Sequence, residues 1–475
     1  MSSSLPRLVL AVLLAALAGC AVGPDYHPPA LAAGAQAPLV SVTPTAESTS
    51  EPPERWWKLY HEPLLDRYLE EAFNANTDLR VAAANLSAAR AVLEGARAGR
   101  YPQTGANLGV KYGRDAITDE ILEIGRHDPQ SIWIYDAILD VSYEVDLLGR
   151  VRRSIESATA DADAVAATRD TVRIAVAAET ARAYAQNCAL GEELAVARHS
   201  LEVVSHEAEI TVDRKEAGAN SDFDVVRAQA LVAQVRAGIP PLEGQRRAAL
   251  FQLAALLGRT PVNAPPEVQA CVRPPGLRDL IPVGDGAALL KRRPDVRQAD
   301  RRVAAATARI GVATADLYPK ISLKGLIGGV SSELNELTTN KGITWGVGPT
   351  ITWTFPNEAA PRARVRQAKA NAAAALAGFD TVVLQALKET EQALSTYGAE
   401  LDRRQALSEA QERAHQVFDM AHDQVMAGAA SNLDLLAAEQ SLVSADAAVA
   451  ASDTALVQDQ IAVFKALGGG WRTGS

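Results

Sequence analysis

Residues 133–145 read WIYDAILDVSYEV. The odd positions are Trp133, Tyr135, Ala137, Leu139, Val141, Tyr143 and Val145, whereas the even ones include Asp136, Asp140, Ser142 and Glu144. Side chains of a β-strand point alternately to its two faces, so this period writes one apolar face and one acidic face. Three other runs repeat it. From 343 to 355 the odd positions are Ile, Trp, Val, Pro, Ile, Trp and Phe against Thr and Gly. Thr104, Ala106, Leu108, Val110 and Tyr112 alternate with Gln, Gly, Asn, Gly and Lys. The run 319–330 is weaker, with Ile321 and Leu323 opposite Lys320, Ser322 and Lys324. A half-buried soluble sheet alternates in the same way, but aromatics near the ends and carboxylates on so long a strand favour a lipid-facing barrel with a wet interior. Four strands cannot close a barrel, and an open edge in lipid leaves backbone groups unpaired at several kcal/mol each. The strands therefore call for copies from other chains, and three chains give twelve strands about one axis.

The 475-residue chain is written twice. Asp78-Leu79-Arg80 returns as Asp295-Val296-Arg297, Arg100-Tyr101-Pro102 as Leu317-Tyr318-Pro319, and EAGANSDFD (216–224) as MAGAASNLD (426–434). Repeat 1 (56–258) is expected to run helix, strands 102–114 and 131–147, long helix, hairpin tip 216–224, helix. Repeat 2 (287–468) follows the same order, with strands 319–331 and 342–355 and tip 426–434. A Pro/Gly-rich connector, 259–286, joins them, and 469–475 is a tail. The uninterrupted helical runs near 154–217 and 361–427 would reach on the order of 95–100 Å. Helices near 64–99 and 285–316 would stack end to end with the shorter returning ones to match the long helices. In the last helix Leu435, Leu442, Val449, Leu456 and Val463 recur every seven residues beside Leu436, Val443, Ala450, Val457 and Phe464. Two such columns suit a ring of helices, and a four-helix bundle would give a similar pattern. Pro240-Pro241 should kink or break its helix.

A net charge of −10 argues against a nucleic-acid partner. Arg7 and the apolar run 8–18 make residues 1–19 a signal peptide. It ends in Leu17-Ala18-Gly19-Cys20, which resembles the lipobox of bacterial lipoproteins. That resemblance implies an S-diacylglyceryl group and an N-palmitoyl chain on Cys20, with 20–55 as a lipidated tether. Ala21 after the cysteine implies the outer membrane. No other cofactor and no metal is expected. The seven histidines show no ligand spacing, and neither a phosphate-binding glycine loop nor a nucleophile elbow is present, so no enzyme is expected.

The stretches LAGCAVGPDYHPP (17–29), WWKLYHEPLLDRYLEEAFNANTDLR (56–80), YEVDLLGRVRR (143–153), RRPDVRQADRRVAAATARIGVATADLYPKISL (292–323) and KALGGGW (465–471) carry a specific likeness. They resemble the TolC-type outer-membrane efflux family, in its OprM/NodT-like lipoprotein branch, over nearly the whole mature chain. The resemblance implies an α+β membrane protein: a homotrimer whose twelve-stranded outer-membrane β-barrel continues into a long periplasmic α-helical barrel. It implies a passive exit duct docked to a periplasmic membrane-fusion adaptor and a proton-driven inner-membrane pump. One departure is TWTFPNEAAPRARVRQA (352–368), where relatives carry glycines before the arginine. The same-family alternative is a duct for polypeptide secretion, and a different class is a periplasm-spanning lipoprotein tether.

On this plan the two nine-residue echoes are the periplasmic hairpin tips. Gly218 and Gly428 suit the left-handed position after a helix, and Ser221 and Ser431 the next N-cap, with Asp224 and Asp434 three residues on. Capping alone does not account for Phe223 and Leu433, which are apolar at an exposed tip. As rings they would form a hydrophobic constriction, with Asp224 and Asp434 as carboxylate rings and Arg227 pairing across a subunit seam. Relatives carry a carboxylate and an arginine further along the last helix, where this chain has Ala437 and Gln440. Cys188, midway along its helix, and Cys271, in the connector, fall at matching heights. They read either as a disulfide or as two buried thiols.

Overall fold

The computed structural model describes residues 21–113, 131–277 and 280–469. Cys20 and the signal peptide lie outside them, as do 470–475. The helices are α1 (Pro63–Ala75), α2 (Thr77–Ala98), α3 (Arg150–Glu216), α4 (Asp222–Leu256), α5 (Gly286–Arg292), α6 (Pro294–Ala315), α7 (Ala359–Met426) and α8 (Asn432–Ala466). The strands are β1 (Glu47–Ser48), β2 (Gln103–Gly113), β3 (Ile132–Val145), β4 (Ile281–Pro282), β5 (Lys320–Ser331) and β6 (Ile343–Thr352). The chain divides into two compact units, each drawing on both sequence repeats.

The first unit comprises Met1–Pro29, Leu86–Val165 and Ala299–Phe379. Its sheet is antiparallel in the order β2-β3-β5-β6. The register puts Leu108 opposite Ala137, Leu139 opposite Ile327 and Ile327 opposite Trp345. Every apolar alternation thus falls on one face. β6 stops at Thr352, opposite Lys320, although the apolar period runs on to 355. The next residue of β5 would be Pro319, which has no N–H to offer a ladder. Trp353 instead stacks on Phe355 at 4.7 Å and donates to the Leu317 carbonyl. An N-terminal strap packs here as well: Asp25 pairs with Arg153 at 2.6 Å, and Tyr26 bonds Asp300. Gly23, at φ +94°, permits this, since a Cβ there would fall 2.5 Å from the Gly311 Cα.

The second unit comprises Ala30–Asn85, Ala166–Gln298 and Asp380–Ser475. Its core joins Trp56, Tyr68, Tyr184, Leu253, Leu394 and Ile461, with Trp56 stacked 4.8 Å from Phe464. β1 pairs in parallel with β4. Two helices expected near 64–99 and 285–316 are each divided, at Asn76 and at Arg293. Asn76 Oδ1 accepts from the Asp78 and Leu79 N–H groups, which starts a new helix, and Pro294 disfavours helix at Arg293. Both breaks place a donor on the end of a returning helix. Asn76 Nδ2 donates to the Leu256 carbonyl at 3.0 Å, and Arg293 Nη1 to the Ala466 carbonyl at 2.8 Å. Pro240 and Pro241 do not break α4, which runs through both. The carbonyls they leave unbonded belong to Arg236 and Ala237, which are exposed, so water can take the place of the missing N–H.

Candidate functional site: the paired helix hairpins

Both hairpins are closed by the same local chemistry, because the same residues recur. Gly218 and Gly428 take φ of +79° and +71°, which a Cβ would strain. The following N–H groups reach back five residues, Ala219 to the Arg214 carbonyl at 2.8 Å and Ala429 to the Gln424 carbonyl at 2.7 Å. These are Schellman endings. The next helices open with full capping boxes, Ser221 with Asp224 and Ser431 with Asp434. The Ser221 N–H and then its hydroxyl hold the Asp224 carboxyl below the ordinary range, with Arg227 adding to the effect. For Asp434 the Ser431 hydroxyl comes first. Both aspartates are therefore engaged as caps.

Phe223 is 70% exposed and Leu433 47% within the chain. Nothing in the single chain covers these two tip side chains as a core would. Arg227 is exposed one turn beyond Phe223.

The hairpins also hold one another, through residues the sequence reading did not single out. Arg214 Nη1 donates to Asn432 Oδ1 at 3.3 Å, and its Nη2 to Met426 Sδ at 3.1 Å. Asn432 Nδ2 donates to Thr211 Oγ1 at 3.1 Å. Within the first hairpin Lys215 pairs with Asp222. The equivalent positions of the second are Val425 and Asn432, which cannot form that pair. The signal was present in the echo itself, since Asp222 against Asn432 is one of its few polar differences. Glu207 on α3 and Glu439 on α8 lie nearby and were likewise missed.

Elsewhere, Cys188 and Cys271 are joined as a disulfide with Cα atoms 4.8 Å apart. Cys188 is fully buried, and a Cβ at Gly191, one turn on, would overlap the Cys271 carbonyl. Arg246 fixes the connector by donating to the Gln269 and Cys271 carbonyls, both at 2.7 Å. On the polar face of the sheet Asp140 accepts from Asn107 at 3.0 Å, and Gly105 makes room for it. Among the described residues no cluster of acidic or histidine side chains could hold a metal.

The model of the family "Outer membrane efflux protein" matches residues 68–259 and 287–469. The Nodulation protein T of Rhizobium leguminosarum bv. viciae is 29% identical over 475 residues, covering 98% of this chain and 94% of the relative. The pyoverdine export outer membrane protein OpmQ of Pseudomonas putida is 31% identical over 486 residues, covering 99% of each. The solved outer-membrane channel OprN superposes with a TM-score of 0.85 at 34% identity, over 95% of this chain and all of that one. With the two matched blocks, the amphipathic sheet and the paired hairpins, the chain belongs to the outer membrane efflux protein family, in its OprM/NodT-like branch, and is an outer-membrane protein.

Proposed function

We propose that the chain is one third of a passive exit duct for small molecules, a homotrimer fed by a periplasmic adaptor and an inner-membrane pump. The observation that carries this is the sheet: four strands, one apolar face, and unpaired edges at β2 and β6. In lipid those edges must pair with other copies. Two copies would give eight strands, a barrel whose interior side chains fill it. Three give twelve and leave a lumen lined by Asp136, Asp140 and Glu144. Within α7 lies a window apolar enough to cross a membrane, only 17% of it buried, and so exposed a surface suits neighbouring helices of a ring. The export of pyoverdine by the OpmQ relative supports a small-molecule cargo over a polypeptide.

The hairpin tips are the closing end of the duct. Phe223 and Leu433, three copies each, form the apolar constriction, and Arg227 pairs across the seam between subunits. Cys20 carries the lipid anchor. Photocrosslinking from Ala219 and Ala429 in cells, with the captured protein identified by mass spectrometry, tests the assignment. An adaptor that serves a proton-driven drug pump is the expected catch. An adaptor of a protein exporter would move the function to polypeptide secretion. No adaptor, together with no conductance in planar bilayers, would leave a structural tether in its place.

A further inference from the structure

Three helices of the hairpin region, α3, α4 and α8, enclose a cavity of ≈ 20 Å³, room for about one water. Glu439 on α8 lines it, is 1% exposed, and has a buried Oε1 with no hydrogen-bond partner. Among the described residues no cation is ion-paired with it. From α3 comes Glu207, a second carboxylate, whose Oε1 lies 3.7 Å from His422 Nδ1 on α7. From α4 come Asp224, occupied as a cap, and Arg227, which lines the same cavity and is exposed to solvent. On α8 itself Asp434 is a cap, and the Asn432 amide is committed to Thr211 and Arg214.

An ionised carboxylate so placed is disfavoured twice, by the loss of water and by a like charge. Burial first, and the Glu207 charge second, push the Glu439 carboxyl up to about 7. A metal ion does not answer the arrangement, because two carboxylates are too few and no metal cluster exists among the described residues. A proton does. We propose that Glu439 carries a proton beside the Glu207 charge, and that this proton keeps the second hairpin seated against the first. Its loss on alkalinisation loosens the tips. The gating consequence rests on the exit-duct reading; the proton site does not.

The sign follows from the direction of the shift. A carboxyl raised in the folded state stabilises fully below its ordinary value of 4.5, and that contribution is lost as pH rises through about 7.

The test is amide hydrogen exchange of the full-length assembled protein, comparing wild type with Glu439→Gln at the same pH so that intrinsic exchange cancels. The ratio of wild-type to variant exchange over residues 426–440 should climb at least about tenfold from pH 5 to pH 8, and a flat ratio overturns the proposal. Glu207→Gln provides a second reading that does not depend on Glu439→Gln folding. It should shrink the wild-type pH response, and an unaltered response refutes the part assigned to the Glu207 charge. Replacing sodium by choline should change nothing, whereas a loss of protection would make the occupant a cation. In bilayers the wild-type open probability should rise with pH and that of Glu439→Gln should not. A wild type that conducts at no pH refutes the duct while the exchange ratio still decides the proton site.

Discussion

Asn432→Ala should unlatch the second hairpin while leaving its fold intact. The side chain makes two bonds to α3, donating to Thr211 Oγ1 at 3.1 Å and accepting from Arg214 at 3.3 Å. A neutral bond is worth roughly 0.5–1.5 kcal/mol net, and one to a charged group roughly 1.5–3. The second is long, so its low end applies, and the pair comes to about 2 kcal/mol per protomer. That is about a thirtyfold rise in the loosened population of each hairpin. Ser431 and Asp434 are untouched, so the capping box persists and the helix still starts at 432. Single-channel recording in planar bilayers, alongside hydrogen exchange over 426–440, gives the readout. Exchange and open probability should rise together. If both stay within twofold of wild type in a normally assembled protein, the bonds between hairpins do not hold the tip closed.

The capping aspartates set an acid limit. Asp224 and Asp434 are held below the ordinary carboxyl value of 3.8, so their contribution is present above it and lost as pH falls through their lowered values. Tip amides should lose protection on acidification in wild type, and much less so in a Ser221→Ala/Ser431→Ala double variant, whose caps are already weakened. Removing the disulfide frees an 83-residue loop, which by chain entropy costs roughly 4.5 kcal/mol. Reductant should accordingly lower the thermal midpoint of wild type by several degrees and leave Cys188→Ala/Cys271→Ala unmoved. Asn76→Ala removes three bonds at a buried helix junction, two to N–H groups of α2 and one to the Leu256 carbonyl. It should destabilise by about 2–4 kcal/mol in chemical denaturation, and a loss below about 0.5 would show that the junction is held by packing alone.

What the sequence revealed of this fold was mostly local. The β3 period, the glycine-then-serine turns and the capping aspartates act over two to five residues, so pattern and structure coincide there. The division at Arg293 was readable from Pro294, yet a continuous helix was expected because the alanine-rich flanks propagate helix from both sides. Asn76 gave less warning still, since asparagine starts helices and also sits inside them. The groups that tie the hairpins together lay beyond reach for another reason. Thr211, Arg214 and Glu207 are separated from Asn432 and Glu439 by more than 200 residues. Which face of a 67-residue helix meets which neighbour depends on a rotation that alanine, small on every side, scarcely encodes. The heptad columns of α8 did place Leu435, Leu442, Val449 and Phe464 inward. Glu439 is buried between those columns, where the pattern alone gives no reason to expect a carboxylate.

The duplication carries its own control on the hairpin latch. Where the first hairpin closes on itself through Lys215 and Asp222, the second has Val425 and uses Asn432 to reach across to the first. Asn432→Asp restores the residue of repeat 1 without its lysine. The new carboxylate would face Arg214, turning the existing bond into an ion pair, and would lose the bond to Thr211, whose hydroxyl already donates to the Glu207 carbonyl at 2.9 Å. Asn432→Asp alone should therefore leave the tip as tight as wild type or tighter, the opposite of Asn432→Ala. With Arg214→Ala added, the carboxylate would lose its paired cation while Glu207 and Glu439 line the same cavity, and the tip should open further than in Arg214→Ala alone. The sign of the substitution at 432 thus depends on residue 214. A double-mutant cycle reads this as a coupling above about 1 kcal/mol, and additivity within about 0.5 would exclude Arg214 as the partner that matters.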